Sequence, residues 1–127
     1  MYYIGIDISK FKHDCVVIDD LGEIVTPSWS FTNDSEGFSQ LKILLDSLDA
    51  ETRIGLESTG HYGMNLKLFL ESNNFSFMEF NPLLINRFVK SKSLRKTKSD
   101  SIDCMMIARY LMTVEYKPYP PLLYHIE

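Results

Sequence analysis

The sequence has few of the features that are typical of secreted or membrane proteins. Only two of its 127 residues are cysteines, Cys15 and Cys104, and their spacing matches no metal or redox motif. Both stand among apolar residues, which predicts buried free thiols in a reducing compartment. No apolar run approaches the roughly 20 residues that a membrane-spanning helix needs, and the opening "MYYIGID" does not have the basic flank of a signal peptide. We therefore expect a cytoplasmic protein with no membrane partner.

Acidic residues are missing from one segment, residues 87–98, which we call the basic segment. The formal net charge of the chain is −4, but outside this segment only seven basic residues face 17 acidic ones. The basic side chains of the segment are Arg87, Lys90, Lys92, Arg95, Lys96 and Lys98. Such a run is often a solvated surface, and its contrast with an acidic body also suits a polyanionic partner such as a nucleic acid.

The composition, with 45% hydrophobic residues and mixed charge, is that of one folded domain. Apolar and β-branched runs predict strands over residues 2–8, 13–19 and 23–31, with a hairpin turn at "DLGE". Pro27 favours an edge position or a bulge for the third strand. The later elements alternate: helices over 33–48, 59–74, 82–91 and 99–113, and strands over 52–58 and 75–81.

This order of elements predicts an α/β fold, a five-stranded mixed sheet with helices on both faces. Strands two and three would form an antiparallel meander beside strand one, and strands four and five would join strand one in parallel by right-handed crossovers. We expect one domain over residues 1–115, followed by a proline-rich linker or tail over residues 116–127.

Two predicted strands carry an acid near the carboxyl end, Asp7 on strand one and Glu57 on strand four. Open α/β sheets bind ligands at this edge, and on adjacent strands the two carboxylates would lie about 5 Å apart. Their repulsion would raise both pKa values, and a divalent cation such as Mg²⁺ or Mn²⁺ would relieve it. Alternatively, one acid caps a loop and the other is solvated.

Two more acids, Asp100 and Asp103, stand three residues apart at the start of the last predicted helix. This spacing predicts that they share one face of its first turn. Ordinary N-capping explains them equally well. Ile107 and Leu111 continue the face of Asp103, so that face should lie against the sheet and bring four carboxylates together.

The stretches "GIDISK", "ESTGHY" and "KSDSIDCMMIA" resemble the N-terminal domain of the DEDD transposases, a family of insertion-sequence transposases that includes pilin-gene DNA invertases. The resemblance covers about residues 3–110. It implies a ribonuclease-H-like fold, similar to that of the RuvC-like Holliday-junction resolvases.

The resemblance also implies which residues act. The family's catalytic and metal-binding tetrad falls on Asp7, Glu57, Asp100 and Asp103. The residues that match the remainder of the motifs are Ser9, Lys10, Thr59, Gly60, Tyr62 and Lys98. Cys104 stands where the family usually has alanine, a small residue in place of a small one.

The activity implied is metal-dependent phosphodiester cleavage and strand transfer in DNA transposition. Two Mg²⁺ or Mn²⁺ ions about 3.5–4 Å apart would clamp the phosphodiester, with Asp7 as the bridging ligand and the basic segment on the phosphates. Full-length members of the family resemble two-domain, oligomeric recombinases whose C-terminal domain supplies a serine nucleophile, and some use a structured guide RNA. We therefore expect these 127 residues to be an incomplete recombinase.

Two other classes remain open from the residues alone. A sugar-kinase or actin-like ATPase also begins with "GID" on its first strand, but it needs a glycine- and threonine-rich phosphate loop where Lys10, Phe11 and Lys12 follow Ser9 here. The other class is a nucleic-acid-binding or oligomerisation module that keeps the tetrad without catalysis. Stabilisation by Mn²⁺ distinguishes a metal enzyme from such a module.

Overall fold

A computed structural model describes residues 1–57, 60–91 and 102–118. The five strands are β1 (Tyr2–Ile8), β2 (Lys12–Asp19), β3 (Ile24–Thr32), β4 (Thr52–Glu57) and β5 (Met78–Phe80). The helices are α1 (Ser35–Ser47), α2 (Met64–Ser72), α3 (Pro82–Ser91) and α4 (Cys104–Leu111). A short 3₁₀ turn, Gly60–Gly63, precedes α2.

The strands form one sheet in the order β3-β2-β1-β4-β5. The pairs β1–β2 and β2–β3 are antiparallel, whereas β1–β4 and β4–β5 are parallel. The predicted mixed topology is therefore confirmed, with β1 at the centre. The edge strand β3 shifts its register against β2 between the pairs Cys15–Trp29 and Val17–Thr26, and Pro27 lies within this bulge.

One face of the sheet is covered by α1 and α2. The inward residues of β1 are Ile4, Ile6 and Ile8, which alternate along the strand as a half-buried pleat requires. They pack in one cluster with apolar side chains of both helices: Phe38, Leu41, Leu45, Leu66 and Leu70. Asp34 caps α1 by accepting a hydrogen bond from the Gly37 N–H at 2.9 Å.

The other face is covered by α4, on which α3 packs in turn. Gly5 of β1 lies directly beneath α4, because a Cβ atom there would overlap the carbonyl oxygen of Cys104 and lie 2.6 Å from the Ala108 nitrogen. A Cβ atom on Gly55 of β4 would lie 2.8 Å from the Phe80 ring. The two glycines therefore allow α4 to cross the centre of the sheet at close range.

Three elements begin three or more residues later in the structure than the sequence predicts. The second helix begins at Met64 instead of residue 59, because Gly60 has a φ of +71° and cannot start an α-helix. Two of its apolar side chains, Met64 and Leu68, are exposed. The fifth strand is limited to Met78–Phe80, and the last helix begins at Cys104.

The chain continues past α4 along the β4–β5 side of the sheet. The Tyr116 hydroxyl lies 2.8 Å from Ser76 Oγ, and the Arg53 guanidinium lies 5.3 Å from the Tyr116 ring centroid. Both cysteines are buried free thiols, as predicted. Within the described ranges, no helix has the length and apolarity needed to cross a membrane.

Candidate active site

Asp7 and Glu57 are neighbours at the carboxyl ends of parallel strands. Each directly follows the register pair formed by Ile6 and Leu56. Because side chains alternate along a strand, Asp7 lies on the face of Gly5 and Glu57 on the face of Gly55, which is the face that α4 covers. Both acids are half-buried.

Asp103 lies at the N-cap of α4. Its Oδ1 accepts a hydrogen bond from the Met106 N–H at 2.9 Å. The prediction that Asp103 stands inside the first helical turn is therefore wrong, because its backbone is extended and the helix begins one residue later. The capping interpretation is correct for this residue. Asp100, the fourth member of the predicted tetrad, lies outside the described residues.

Asp14 of β2 is a further acid in this region, and it was not identified as a site residue from the sequence. It pairs directly with Asp7 in the β1–β2 register, is half-buried, and accepts a hydrogen bond from Ser30 Oγ of β3. The signal was present in the hairpin, because a turn centred between Lys10 and Phe11 pairs Asp7 with Asp14.

The negative charges of the other three acids act on the carboxyl of Asp7. Burial, and to a smaller extent the negative charges of Asp14, Glu57 and Asp103, together raise the pKa of Asp7 to about 6. Acids on three other elements, β2, β4 and α4, thus place negative charge around Asp7. A carboxyl in such a position is ionised at neutral pH only at an energetic cost, which a bound cation would remove.

The donor set fits a hard divalent cation. Carboxylate oxygens are the ligands that Mg²⁺ and Mn²⁺ prefer, and Asp7, Glu57 and Asp103 supply them from one edge of the sheet. Among the residues that the structure describes, however, no three or more His, Cys, Asp or Glu side chains stand in a geometry that could hold a metal ion. The chemistry of the three carboxylates therefore suits a divalent cation, but the described side chains are not arranged to hold one by themselves.

The turn between β1 and β2, where the predicted motif residue Ser9 lies, is held by a buried histidine. Ser9 donates from its N–H to His13 Nδ1 at 3.2 Å and from Oγ to the Lys12 carbonyl. His13 Nε2 lies 3.0 Å from Asn33 Oδ1. Because Nδ1 accepts, Nε2 carries the proton and donates to Asn33, and burial lowers the pKa of His13, which favours this neutral form. Sequence reasoning did not identify this pair.

Asn33 joins this turn to the 3₁₀ turn after β4. Its Nδ2 lies 3.1 Å from the Lys10 carbonyl and 3.4 Å from the Tyr62 carbonyl. The predicted motif residues Lys10, Gly60 and Tyr62 therefore lie at the same edge of the sheet as Asp7, and all three are exposed. Thr59 lies outside the described residues.

The structure describes only the beginning of the basic segment. Arg87 and Lys90 are exposed on α3. The remaining basic residues of the segment lie outside the described part of the chain: Lys92, Arg95, Lys96 and Lys98.

Comparison with known proteins identifies relatives along almost the whole chain. A family model described as a transposase, that of the IS110-type DEDD transposases, matches residues 4–125. The pilin gene-inverting protein of Moraxella bovis is 33% identical over 124 residues, which is 94% of this chain and 36% of that protein. Its counterpart in Moraxella lacunata is equally similar. The mini-circle putative transposase for IS117 of Streptomyces coelicolor is 27% identical over 115 residues, 87% of this chain and 27% of that protein.

These matches cover most of this chain but only about a third of the relatives, and they agree with the fold. The central parallel strands, the antiparallel β1–β2–β3 meander and the helices on both faces form the ribonuclease-H-like, RuvC-like architecture implied by the sequence motifs. The chain belongs to the DEDD transposase family.

Proposed function

We propose that the chain is the catalytic N-terminal domain of a DNA transposase or recombinase that uses Mg²⁺ or Mn²⁺. The main support for the proposal is the relative position of three acids. Asp7 and Glu57 end adjacent parallel strands, and Asp103 caps the helix that crosses those strands on the same face. The raised pKa of Asp7 supports it, because three neighbouring negative charges surround a half-buried carboxyl.

The residues proposed to hold the cations are Asp7, Glu57, Asp100 and Asp103. Asp7 would be the bridging ligand because it comes from the central strand, and the Asp14 charge beside it would strengthen its attraction for a cation. When bound, divalent cations supply charge neutralisation for the attacking and leaving oxygens of the phosphodiester. The chain itself binds the cations and orients the phosphate beside them.

DNA is the proposed substrate, with the basic segment on its phosphates. Arg87 and Lys90 are exposed on α3, where they are free of the apolar core. Contacts of this kind position a duplex without reading its sequence and weaken steeply with salt. We further propose that the full-length protein acts in the cytoplasm as a homo-oligomer, and that a structured guide RNA is the partner that would select its target.

The relatives are about three times longer than this chain, which supports a two-domain arrangement. We propose residues 1–115 as the catalytic domain and residues 116–127 as the connection to a domain that supplies the serine nucleophile. The isolated chain should therefore bind metal and DNA but show little strand transfer.

Thermal unfolding with and without MnCl₂ tests the metal site. A ligand that binds only the folded state at about 100 times its Kd stabilises it by about 2.7 kcal/mol, so Mn²⁺ should raise the Tm of the wild-type chain. Asp7→Asn should abolish this rise, whereas Asp20→Asn, which changes an exposed aspartate in the β2–β3 turn, should preserve it. A wild-type Tm that Mn²⁺ leaves unchanged would instead favour the non-catalytic module.

A further inference from the structure

The turn between β1 and β2 presents an aromatic ring to solvent between two lysines. Phe11 is 76% exposed, although proteins usually bury phenylalanine. Lys10 and Lys12 flank it and are exposed as well. Lys10 Nζ lies 5.2 Å from the centroid of the Phe11 ring, so a cation covers part of the ring while most of its surface faces solvent.

The backbone of this turn is fixed without help from the Phe11 side chain. The carbonyl oxygens of Lys10, Phe11 and the following residue, Lys12, all accept hydrogen bonds: that of Lys10 from Asn33 Nδ2 at 3.1 Å, and that of Phe11 from the Asn33 N–H at 2.9 Å. The carbonyl of Lys12 accepts from Ser9 Oγ. The exposed ring is therefore held in place by a rigid support, and its removal should cost the fold little.

The turn borders the candidate active site. Phe11 lies only four residues after Asp7, beyond the end of the same strand. Asn33 Nδ2 also contacts the Tyr62 carbonyl, which brings a second aromatic residue to this edge. Tyr62 is 43% exposed, and its ring packs edge-on against His61 at a centroid distance of 5.3 Å. Aromatic and basic groups thus line the edge next to the carboxylates.

We propose that Phe11, flanked by Lys10 and Lys12, binds an unpaired DNA strand beside the active site. A base would stack on the Phe11 ring while the two ammonium groups contact the adjacent phosphates. Positive charge beside an exposed aromatic ring is the combination with which proteins hold single strands, because every base has a π-face and every linkage has a phosphate. This inference rests on the proposed function, since it takes DNA as the substrate.

The surroundings of Phe11 favour a nucleic acid strand over a protein partner. Protein interfaces have an apolar centre from which charged residues, lysine above all, are depleted. Here both sequence neighbours of the ring are lysines. A fully paired duplex does not offer a base face for stacking, so the proposal commits to unpaired nucleotides, such as those exposed when a strand is opened for cleavage.

Fluorescence anisotropy with labelled oligo(dT) and with a matched duplex tests the proposal on the 127-residue chain, without divalent metal. Phe11→Ala should weaken oligo(dT) binding by about 5- to 150-fold, the range for one lost base stack, and should weaken duplex binding much less. Phe11→Trp should retain binding, and its added fluorescence should be quenched by oligo(dT). The matched control is Leu21→Ala, which truncates an 81% exposed apolar side chain in the β2–β3 turn at the opposite end of β2.

The proposal is overturned if Phe11→Ala binds oligo(dT) like wild type, if Leu21→Ala loses as much affinity, or if the wild-type chain binds no oligo(dT). A change in oligomeric state in Phe11→Ala, with oligo(dT) affinity unchanged, would also overturn it and indicate a protein interface. The Mn²⁺-dependent rise in Tm reports separately on the metal site. If that rise is absent while binding still depends on Phe11, the proposed function fails and the strand-binding surface stands.

Discussion

Neutralising Asp7 should stabilise the metal-free protein. Burial and the charges of Asp14, Glu57 and Asp103 raise the pKa of this carboxyl from 3.8 to about 6. Because the pKa is higher in the folded state than in the unfolded state, ionisation of Asp7 favours unfolding. This cost is fully present above the folded pKa and disappears as the pH falls toward 3.8. Asp7→Asn removes the charge and keeps the shape of the side chain.

The size of the effect follows from the same values. A difference of one pKa unit corresponds to about 1.36 kcal/mol, so the rise from 3.8 to about 6 means that the ionised carboxylate lowers the free energy of unfolding by at most about 3 kcal/mol. Since Asp7 is only half-buried, solvent screening reduces the expected gain in the free energy of unfolding to about 1–2 kcal/mol near neutral pH. For a chain of 127 residues this is a rise in Tm of about 3–8 °C.

Urea and thermal unfolding in EDTA, between about pH 4 and pH 7.5, measure this gain. The difference between Asp7→Asn and wild type should be largest at the high end and approach zero near pH 4. The control Asp20→Asn should stay within about 0.5 kcal/mol of wild type throughout. A variant less stable than wild type at neutral pH, as expected if Asp7 formed a structural cap or ion pair, would refute the reasoning, and so would a gain that does not depend on pH.

Three further results are expected. Gly5→Ala should destabilise the chain by about 2–4 kcal/mol in urea unfolding, because its Cβ would meet the α4 backbone; a neutral result would mean that α4 shifts freely. Asp103→Ser should keep the N-cap and lose part of the Mn²⁺-dependent rise in Tm, whereas Asp103→Ala should also lose about 1 kcal/mol of stability. An equal rise in Tm in wild type and Asp103→Ser would exclude Asp103 as a ligand. Replacing Arg95, Lys96 and Lys98 by alanine should lower the slope of log K against log salt for duplex DNA by up to about 0.9 per lost contact. Unchanged binding would mean that these side chains do not contact the DNA.

The strand order and the position of Asp7 beside Glu57 could be predicted because local signals specify them. Short hairpin turns require antiparallel neighbours, and helical crossovers require parallel ones, so β1 had to stand at the centre. The two acids occupy equivalent positions after equal apolar runs, and parallel pairing places them side by side.

The remaining features of the site depend on contacts that a local pattern does not contain. The stretch before α4 holds several residues that cap helices equally well, so the sequence left the start of the helix ambiguous and Asp103 was assigned to the wrong turn. Asp14 was missed because a polar residue in a hairpin strand usually faces solvent. Within its own strand, Gly5 is only a residue of low strand propensity. It is needed for the close approach of α4, which lies about 100 residues later in the sequence.

The long separation between the central strands and α4 has a consequence for folding during synthesis. β1, β2 and β4 all lie within the first 57 residues, but the helix that covers them begins at Cys104. At about 5–20 residues per second, Asp103 is synthesised about 2–9 s after Glu57. During that interval the face of the nascent sheet that carries Gly5 and Gly55 has no helix to pack against. A domain synthesised in this order brings Asp103 to the edge that carries Asp7 and Glu57 only when α4 is made, so this cluster of acids forms late in folding.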